Sequence, residues 1–142
     1  MGAMRRQRSP RLPEQVDEAV ERLAGRTGRD FSAVVSELLD EALKMRRIPG
    51  IVFVDGPRGR VAKIGGTGLA VYEIVRAFRN LDSDWNSLRE AYHWLSESQL
   101  RSALAFAEAY SPEVERDLNA DEAWSPEHVW RTYPFMRPAH RA

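Results

Sequence analysis

The sequence begins with a cluster of arginines, whose charged groups can bind anions, and no acidic residue lies among them. Residues 1–13 contain no aspartate or glutamate and four arginines: Arg5, Arg6, Arg8 and Arg11. Guanidinium groups bind phosphate and attract nucleic acid. In an extended chain, Gln7, Ser9 and Arg11 share one face, and Gln and Arg side chains contact base edges in the major groove. The N-terminal arm, residues 5–11, therefore predicts DNA binding, with a disordered solubilising arm as the alternative.

A second group of binding residues lies near the other end of the chain. Residues 121–142 lack a helical or strand period but hold several large apolar side chains among prolines: Trp124, Trp130, Tyr133, Phe135 and Met136. Such a segment cannot build its own core, and aromatic side chains are the usual anchors of binding surfaces. Arg131 and Arg137 add positive charge. These residues predict an extended tail that binds a protein partner.

Signals for enzyme chemistry are weak. Gly65-Gly66-Thr67-Gly68 lacks the Gly-Lys-Ser/Thr ending of a phosphate loop, which favours a strand-to-helix turn. The three histidines have no metal-ligand spacing: His93, His128 and His140. The acid pairs lie at predicted helix starts, where capping explains them: Asp82 with Asp84, and Glu113 with Glu115. With no cysteine either, we expect no catalytic site, no metal and no cofactor.

The elements that must position the arm are two predicted helices in residues 1–47. Pro13 and the acids after it indicate the first helix start, and the stretch from Gly25 to Gly28 indicates its end. Asp30 is placed to cap the second helix. The second helix has a broad apolar face, from Phe31 to Leu43. Because two helices of this length cannot bury such a face alone, it predicts a homodimer or a higher oligomer.

Residues 48–120 predict a mainly helical domain with one β-hairpin. Two β-branched strands, 51–55 and 60–64, flank a four-residue loop, 56–59. Three helical stripes follow, and Ser96 with Gln99 forms a capping box for the third. The short connection before that third helix is compatible with a helix-turn-helix. Its outward residues predict a second DNA reader, or equally a dimer or partner contact: Gln99, Arg101 and Ser102.

Charge and hydropathy narrow the class of protein. The net charge is zero, but residues 1–47 carry 10 basic and 8 acidic side chains, whereas residues 111–142 carry 4 and 6. No apolar run approaches the roughly 20 residues that cross a bilayer. We therefore expect a cytoplasmic protein with no membrane contact.

The first 47 residues resemble a ribbon-helix-helix repressor domain. The resemblance rests on Arg11-Leu12-Pro13, an amphipathic helix, residues 26–30 and a helix that begins with Phe31-Ser32. In that family, two chains pair their N-terminal strands in the major groove. The resemblance implies that Gln7, Ser9 and Arg11 read bases and that the amides of Phe31 and Ser32 meet phosphate. Here Arg8 and Pro10 take the side that the family keeps apolar, and Pro10 lacks an amide donor. A distorted ribbon and no ribbon both stay open.

The middle segment resembles a second family. Residues 64–75, 92–95, 99–106 and 111–114 are similar to a small homeodomain-like domain found in VapB-type antitoxins, whose partners are PIN-like ribonuclease toxins. In this arrangement the N-terminal domain binds the operon's own promoter DNA and the C-terminal tail wraps the toxin. The six residues expected to contact the toxin are Trp124, Trp130, Arg131, Tyr133, Phe135 and Arg137.

These expectations combine into one hypothesis with one rival. The chain is expected to be a non-enzymatic, homodimeric antitoxin that represses its own operon. Residues 1–47 would form a ribbon-helix-helix-like unit, 48–120 a hairpin plus three-helix, homeodomain-like unit, and 121–142 an extended toxin-binding tail. The rival is a stand-alone dimeric repressor with no toxin partner.

Overall fold

The computed structural model describes residues 8–139 as a mainly helical chain with one two-stranded antiparallel hairpin. The described chain divides into two compact units, with the boundary between Lys44 and Met45. In the described residues, no helix is both long and apolar enough to cross a membrane.

The first unit consists of helix α1 (Glu14–Thr27) and most of helix α2 (Phe31–Arg47). α1 begins after Pro13 and ends at Gly28, whose φ of 65° places it in the left-handed region and whose amide bonds to the carbonyl of Ala24. Gly28 thus terminates α1, as the sequence predicted. Residues 8–13 form neither helix nor strand in the single chain. Because the predicted ribbon pairs two chains, it stays a prediction.

The second unit opens with the hairpin of β1 (Ile51–Gly56) and β2 (Gly59–Ile64). The ladder runs from the pair Ile51 and Ile64 to the pair Gly56 and Gly59. The predicted four-residue loop was wrong, because both glycines pair and only Pro57 and Arg58 form the turn. A Cβ atom at Gly56 would lie 3.2 Å from the carbonyl oxygen of Gly59, so a side chain here would require a small shift of the paired backbone.

Four helices pack with the hairpin around one core. They are α3 (Val71–Asn80), α4 (Trp85–Ala91), α5 (Glu97–Ala109) and α6 (Ser111–Ala123). Phe106 of α5 is fully buried and meets Phe53 of β1 edge to face, with 5.9 Å between ring centroids. Val114 of α6 joins this core. The core thus contains a fourth helix beyond the three expected, and α6 extends to Ala123.

The described part of the C-terminal segment contains two helical elements, which corrects the prediction of an extended tail in residues 121–139. Helix α7 (Pro126–Thr132) is followed by a 3-10 turn, Pro134–Met136. Ser125 caps α7 by accepting a hydrogen bond from the amide of His128 at 3.3 Å. A Ser-Pro-Glu start is a strong helix signal, because serine caps, proline fits the first turn and glutamate complements the helix dipole. No described residue of α7 or of the 3-10 turn is buried.

Candidate binding surfaces

The described part of the N-terminal arm borders a groove on the first unit. Arg5, Arg6 and Gln7 lie outside the described residues. Arg8, Ser9 and Arg11 are exposed. The groove has a volume of about 570 Å³ and is lined by both apolar and polar residues, including Arg8, Arg11, Phe31 and Ser32.

This groove joins residues that the sequence placed in two separate elements. Phe31 and Ser32 begin α2, and the carbonyl of Asp30 accepts the first helical bond from the amide of Val34 at 3.0 Å. Amides in the first turn of a helix have no partner within the helix and favour anions. Two arginines therefore line the same groove as the start of α2. Asp17 also lines the groove and contributes a negative charge.

Helix α2 leaves much of its apolar face uncovered in the single chain. Val34 is buried, whereas Leu39 is 59% exposed and Leu43 is 67% exposed. Leu38 and, on α1, Val16 are exposed as well. Burying one leucine side chain contributes about 1.5–3 kcal/mol. An uncovered face of this size supports association with another chain.

Helix α5, the candidate second reader, has its outward polar side chains engaged within the domain. Gln99 accepts a hydrogen bond from the amide of Ser96 at 2.8 Å and so completes the predicted capping box. Arg101 donates to Glu97 at 2.7 Å. Ser102 donates to the carbonyl of Pro49 at 3.0 Å. The sequence did not predict the contact between Ser102 and Pro49, because these two residues are far apart along the chain.

The glycine-rich loop is built as a turn. Ile64 donates its amide to the carbonyl of Leu69 at 2.9 Å, and Thr67 accepts a hydrogen bond from the amide of Leu69 at 3.0 Å. At the start of α3, the carboxylate of Glu73 accepts from the amide of Ala70 at 2.7 Å. The chain's own groups thus occupy these amides, which agrees with the strand-to-helix turn.

The remaining candidates for chemistry have structural roles. Asp84 caps α4 by accepting a hydrogen bond from the amide of Ser87 at 2.8 Å, and hydrogen bonds from Ser87 lower the pKa of Asp84. Glu115 does not cap: it pairs with Arg79 of α3, whose hydrogen bond lowers the pKa of Glu115. His93 lies in the turn before α5 and His128 in α7, while His140 lies outside the described residues. Within residues 8–139, no group of three or more histidines or acids is arranged to hold a metal ion.

The aromatic segment, defined as the described residues 124–139, presents its large side chains to solvent. Trp124 is 71% exposed and Phe135 is 83% exposed. Tyr133 and Phe135 meet edge to face, with 6.1 Å between ring centroids. Trp130, Arg131 and Arg137 line one shallow pocket of about 360 Å³ together with Glu127 and Pro134. The structure therefore gathers five of the six predicted partner-binding residues into two neighbouring clusters, and Trp124 precedes α7.

Two further exposed apolar residues were not among the predicted site residues. Met136 is exposed beside Phe135. Trp94, in the turn between α4 and α5, is 62% exposed and lies 5.3 Å, centroid to centroid, from both Tyr92 and His93. Trp94 lies in a short turn between two helices, directly after His93, a position that already indicated exposure in the sequence.

Comparisons with known proteins identified no relative of this chain. A scan against family models, a search of curated proteins and a search of solved structures each gave no match to the chain.

Proposed function

We propose that this protein is the antitoxin of a type II toxin-antitoxin system. It neutralises a PIN-like ribonuclease toxin and represses its own operon by binding promoter DNA as a cytoplasmic homodimer. The observation that carries the proposal is the uncovered aromatic segment that follows a folded domain, in a chain whose other end is basic. The likeness of residues 1–47 to ribbon-helix-helix repressors, and of the middle segment to a homeodomain-like antitoxin domain, supports the same function.

The groove of the first unit supports the DNA-binding half of the proposal. Arg8 and Arg11 line it together with Phe31 and Ser32 at the start of α2. Phosphate contacts fix a protein on a duplex, and helix starts and arginines are common sources of them. The exposed leucines of α2 supply the surface by which two such units would pair.

The aromatic segment supports the neutralising half. Aromatic side chains contribute large contact areas, and Arg131 and Arg137 lie beside Trp130. PIN-like ribonucleases use a cluster of metal-binding carboxylates, so a blocking segment needs apolar anchors together with a cation. The polar side chains of α5 are engaged within the domain, which favours the partner-contact role of the middle domain over DNA reading.

Co-expression with the protein encoded by the neighbouring reading frame tests the proposal. The wild-type chain should co-purify with that protein and inhibit its ribonuclease activity. Deletion of residues 124–142 should abolish both effects while DNA binding persists. The cut belongs after Ala123, because α6 ends there.

A matched substitution sharpens this test. Trp124→Ala with Phe135→Ala should weaken the complex strongly, since buried aromatic anchors are the residues whose loss costs most binding energy. Trp94→Ala removes a similarly exposed tryptophan outside the segment and should leave the complex intact. If no partner co-purifies with the wild-type chain, the stand-alone repressor is the better description. If the deletion changes neither co-purification nor inhibition, the partner binds outside the aromatic segment and this half of the proposal is wrong.

A further inference from the structure

One aspartate joins the end of α6 to two other elements of the second unit. Asp121 accepts a hydrogen bond from the hydroxyl of Tyr72 on α3 at 3.3 Å. It also forms an ion pair with Arg76 on α3. Arg58 of the hairpin turn lies 3.6 Å from the same carboxylate and donates to the carbonyl of Ala120 at 3.2 Å. Three side chains from the hairpin and α3 therefore converge on the last turns of α6.

The charge state of Asp121 is set by these neighbours. Partial burial raises its pKa, but the hydrogen bonds and charges of Arg76, Tyr72 and Arg58 outweigh burial and leave the pKa below its ordinary value. Burial and the nearby Asp121 carboxylate raise the pKa of Tyr72. Both shifts favour an ionised Asp121 that accepts from a neutral tyrosine at neutral pH.

The aromatic segment begins directly after this aspartate. The amide of Trp124 donates to the carbonyl of Asp121 at 3.1 Å. Ser125, the cap of α7, lines the same surface pocket as Arg76 and Asp121. The side-chain hydrogen bonds described beyond this point lie within α7, from the His128 amide to Ser125 and from Thr132 to the His128 carbonyl.

We infer that Asp121 is a positioning residue: its contacts with Arg58, Tyr72 and Arg76 fix the direction in which the aromatic segment leaves the domain. This inference rests on the proposed function, because the contacts of Asp121 would preorganise the aromatic segment for binding its protein partner. Contacts that hold the binding conformation raise affinity by reducing the ordering needed on binding. Without them the binding-competent fraction falls, and the apparent affinity falls with it.

The absence of cysteine from the sequence allows a direct measurement. Spin labels on Asn86→Cys in α4 and His128→Cys in α7, both exposed, report the distance between the domain and the segment. The otherwise unchanged chain should give one narrow distance distribution. Asp121→Asn and Arg76→Gln should each broaden it, and Asp121→Glu, which keeps the carboxylate, should restore it. A high salt concentration should broaden it as well, because these ion pairs are partly exposed.

Glu115→Gln is the matched control. Glu115 pairs with Arg79 across the same two helices and lines the same surface pocket, but it lies six residues before Asp121 in α6. This variant should keep the narrow distribution. If Asp121→Asn and Arg76→Gln leave the distribution as narrow as in the control, the positioning role is wrong.

Affinity for the protein of the neighbouring reading frame supplies the second readout. Asp121→Asn should weaken binding about fivefold, the effect expected for one exposed ion pair, with unchanged binding for Glu115→Gln. A broadened distance distribution with unchanged affinity would show that Asp121 does not preorganise the aromatic segment for binding. If the wild-type chain binds no such protein, the proposed function fails, while the distance measurement still judges whether Asp121 directs the segment.

Discussion

Arg101 lies over the indole ring of Trp85, with 4.6 Å between the guanidinium carbon and the ring centroid. Its guanidinium also donates to Glu97, at 3.0 Å from Nε and 2.7 Å from Nη2. Trp85 begins α4 and Arg101 belongs to α5, so the stacked pair joins the two helices that the sequence had indicated as a helix-turn-helix. Arg101, one of the α5 residues for which base reading was one hypothesis, thus has a contact that stabilises the packing of the two helices.

Arg101→Ala should therefore destabilise the second unit without weakening DNA binding. We expect a loss of about 0.5–1 kcal/mol in the free energy of unfolding, from the lost cation–π contact. Urea unfolding measures this loss, and binding to a duplex from upstream of the reading frame measures affinity. Arg101→Lys keeps the charge but not the flat stack, so it should recover part of the stability. A fall in DNA affinity at unchanged stability would instead indicate that α5 contacts DNA.

Replacing both Arg8 and Arg11 by alanine should reduce the salt dependence of DNA binding. Each lost phosphate contact lowers the slope of log affinity against log salt by about 0.9, so two contacts in one chain account for about 1.8. Titrations of the same duplex at several salt concentrations give this slope. Replacing Arg22 and Arg26, exposed on α1, removes the same charge and should change the slope less. Equal slopes for the two variants would point to a general charge effect.

Leu39→Glu with Leu43→Glu should convert the proposed dimer into a monomer. Both leucines are more than half exposed in the single chain, and burying each one in an interface contributes about 1.5–3 kcal/mol. Sedimentation at several concentrations should show mostly dimer for the wild type and only monomer for the variant. Val52→Glu puts an acid on an exposed apolar position of the hairpin and should leave the dimer unchanged. A dimer that persists in the leucine variant would place the interface elsewhere.

Two aspartates of α6 should respond to pH with opposite signs. Burial raises the pKa of Asp117 above its ordinary 3.8, so folding favours its protonated form and its contribution to stability is lost as pH rises through the folded pKa. The pKa of Asp121 is lowered, so its contribution is present at neutral pH and is lost as pH falls through the folded pKa.

Asp117→Asn should accordingly raise stability at neutral pH, by less than about 1 kcal/mol because the group is partly solvated. Asp121→Asn should lower stability under the same conditions. The difference for Asp117→Asn should shrink first as the pH falls, because the pKa of Asp117 is raised, and the difference for Asp121→Asn should shrink at lower pH, because the pKa of Asp121 is lowered. Thermal unfolding at pH 7 and at pH 3 measures them, and effects of the same sign at neutral pH would contradict the assigned environments.

Local signals in the sequence predicted the elements well where neighbouring residues decide them. Ser96 with Gln99, Asp84 before α4 and Gly28 after α1 are confirmed as helix boundaries. The Ser-Pro start of α7 carried the same kind of signal, yet the dense prolines favoured an extended tail. Its helix shows that a local cap outweighs composition over a short segment.

The sequence did not predict the contacts between residues that are distant along the chain. Arg58, Tyr72 and Arg76 meet Asp121 from parts of the chain that are distant in sequence, and no spacing rule relates them. The inclusion of α6 in the core was missed for a similar reason, because its weakly periodic sequence gave no sign that Val114 would be buried against α3 and α5.

The sequence by itself determined helices α1 to α5, the hairpin, the basic arm and the aromatic residues of the C-terminal segment. Those features depend on residue types within about four positions of one another, which set caps, turns and periodic faces. Only the tertiary structure decided that Arg101 and Ser102 of α5 bond to other groups of the same domain, that the leucines of α2 stay uncovered, and that Asp121 meets three side chains. Those outcomes depend on which surfaces pack together, and packing brings distant residues within hydrogen-bond distance.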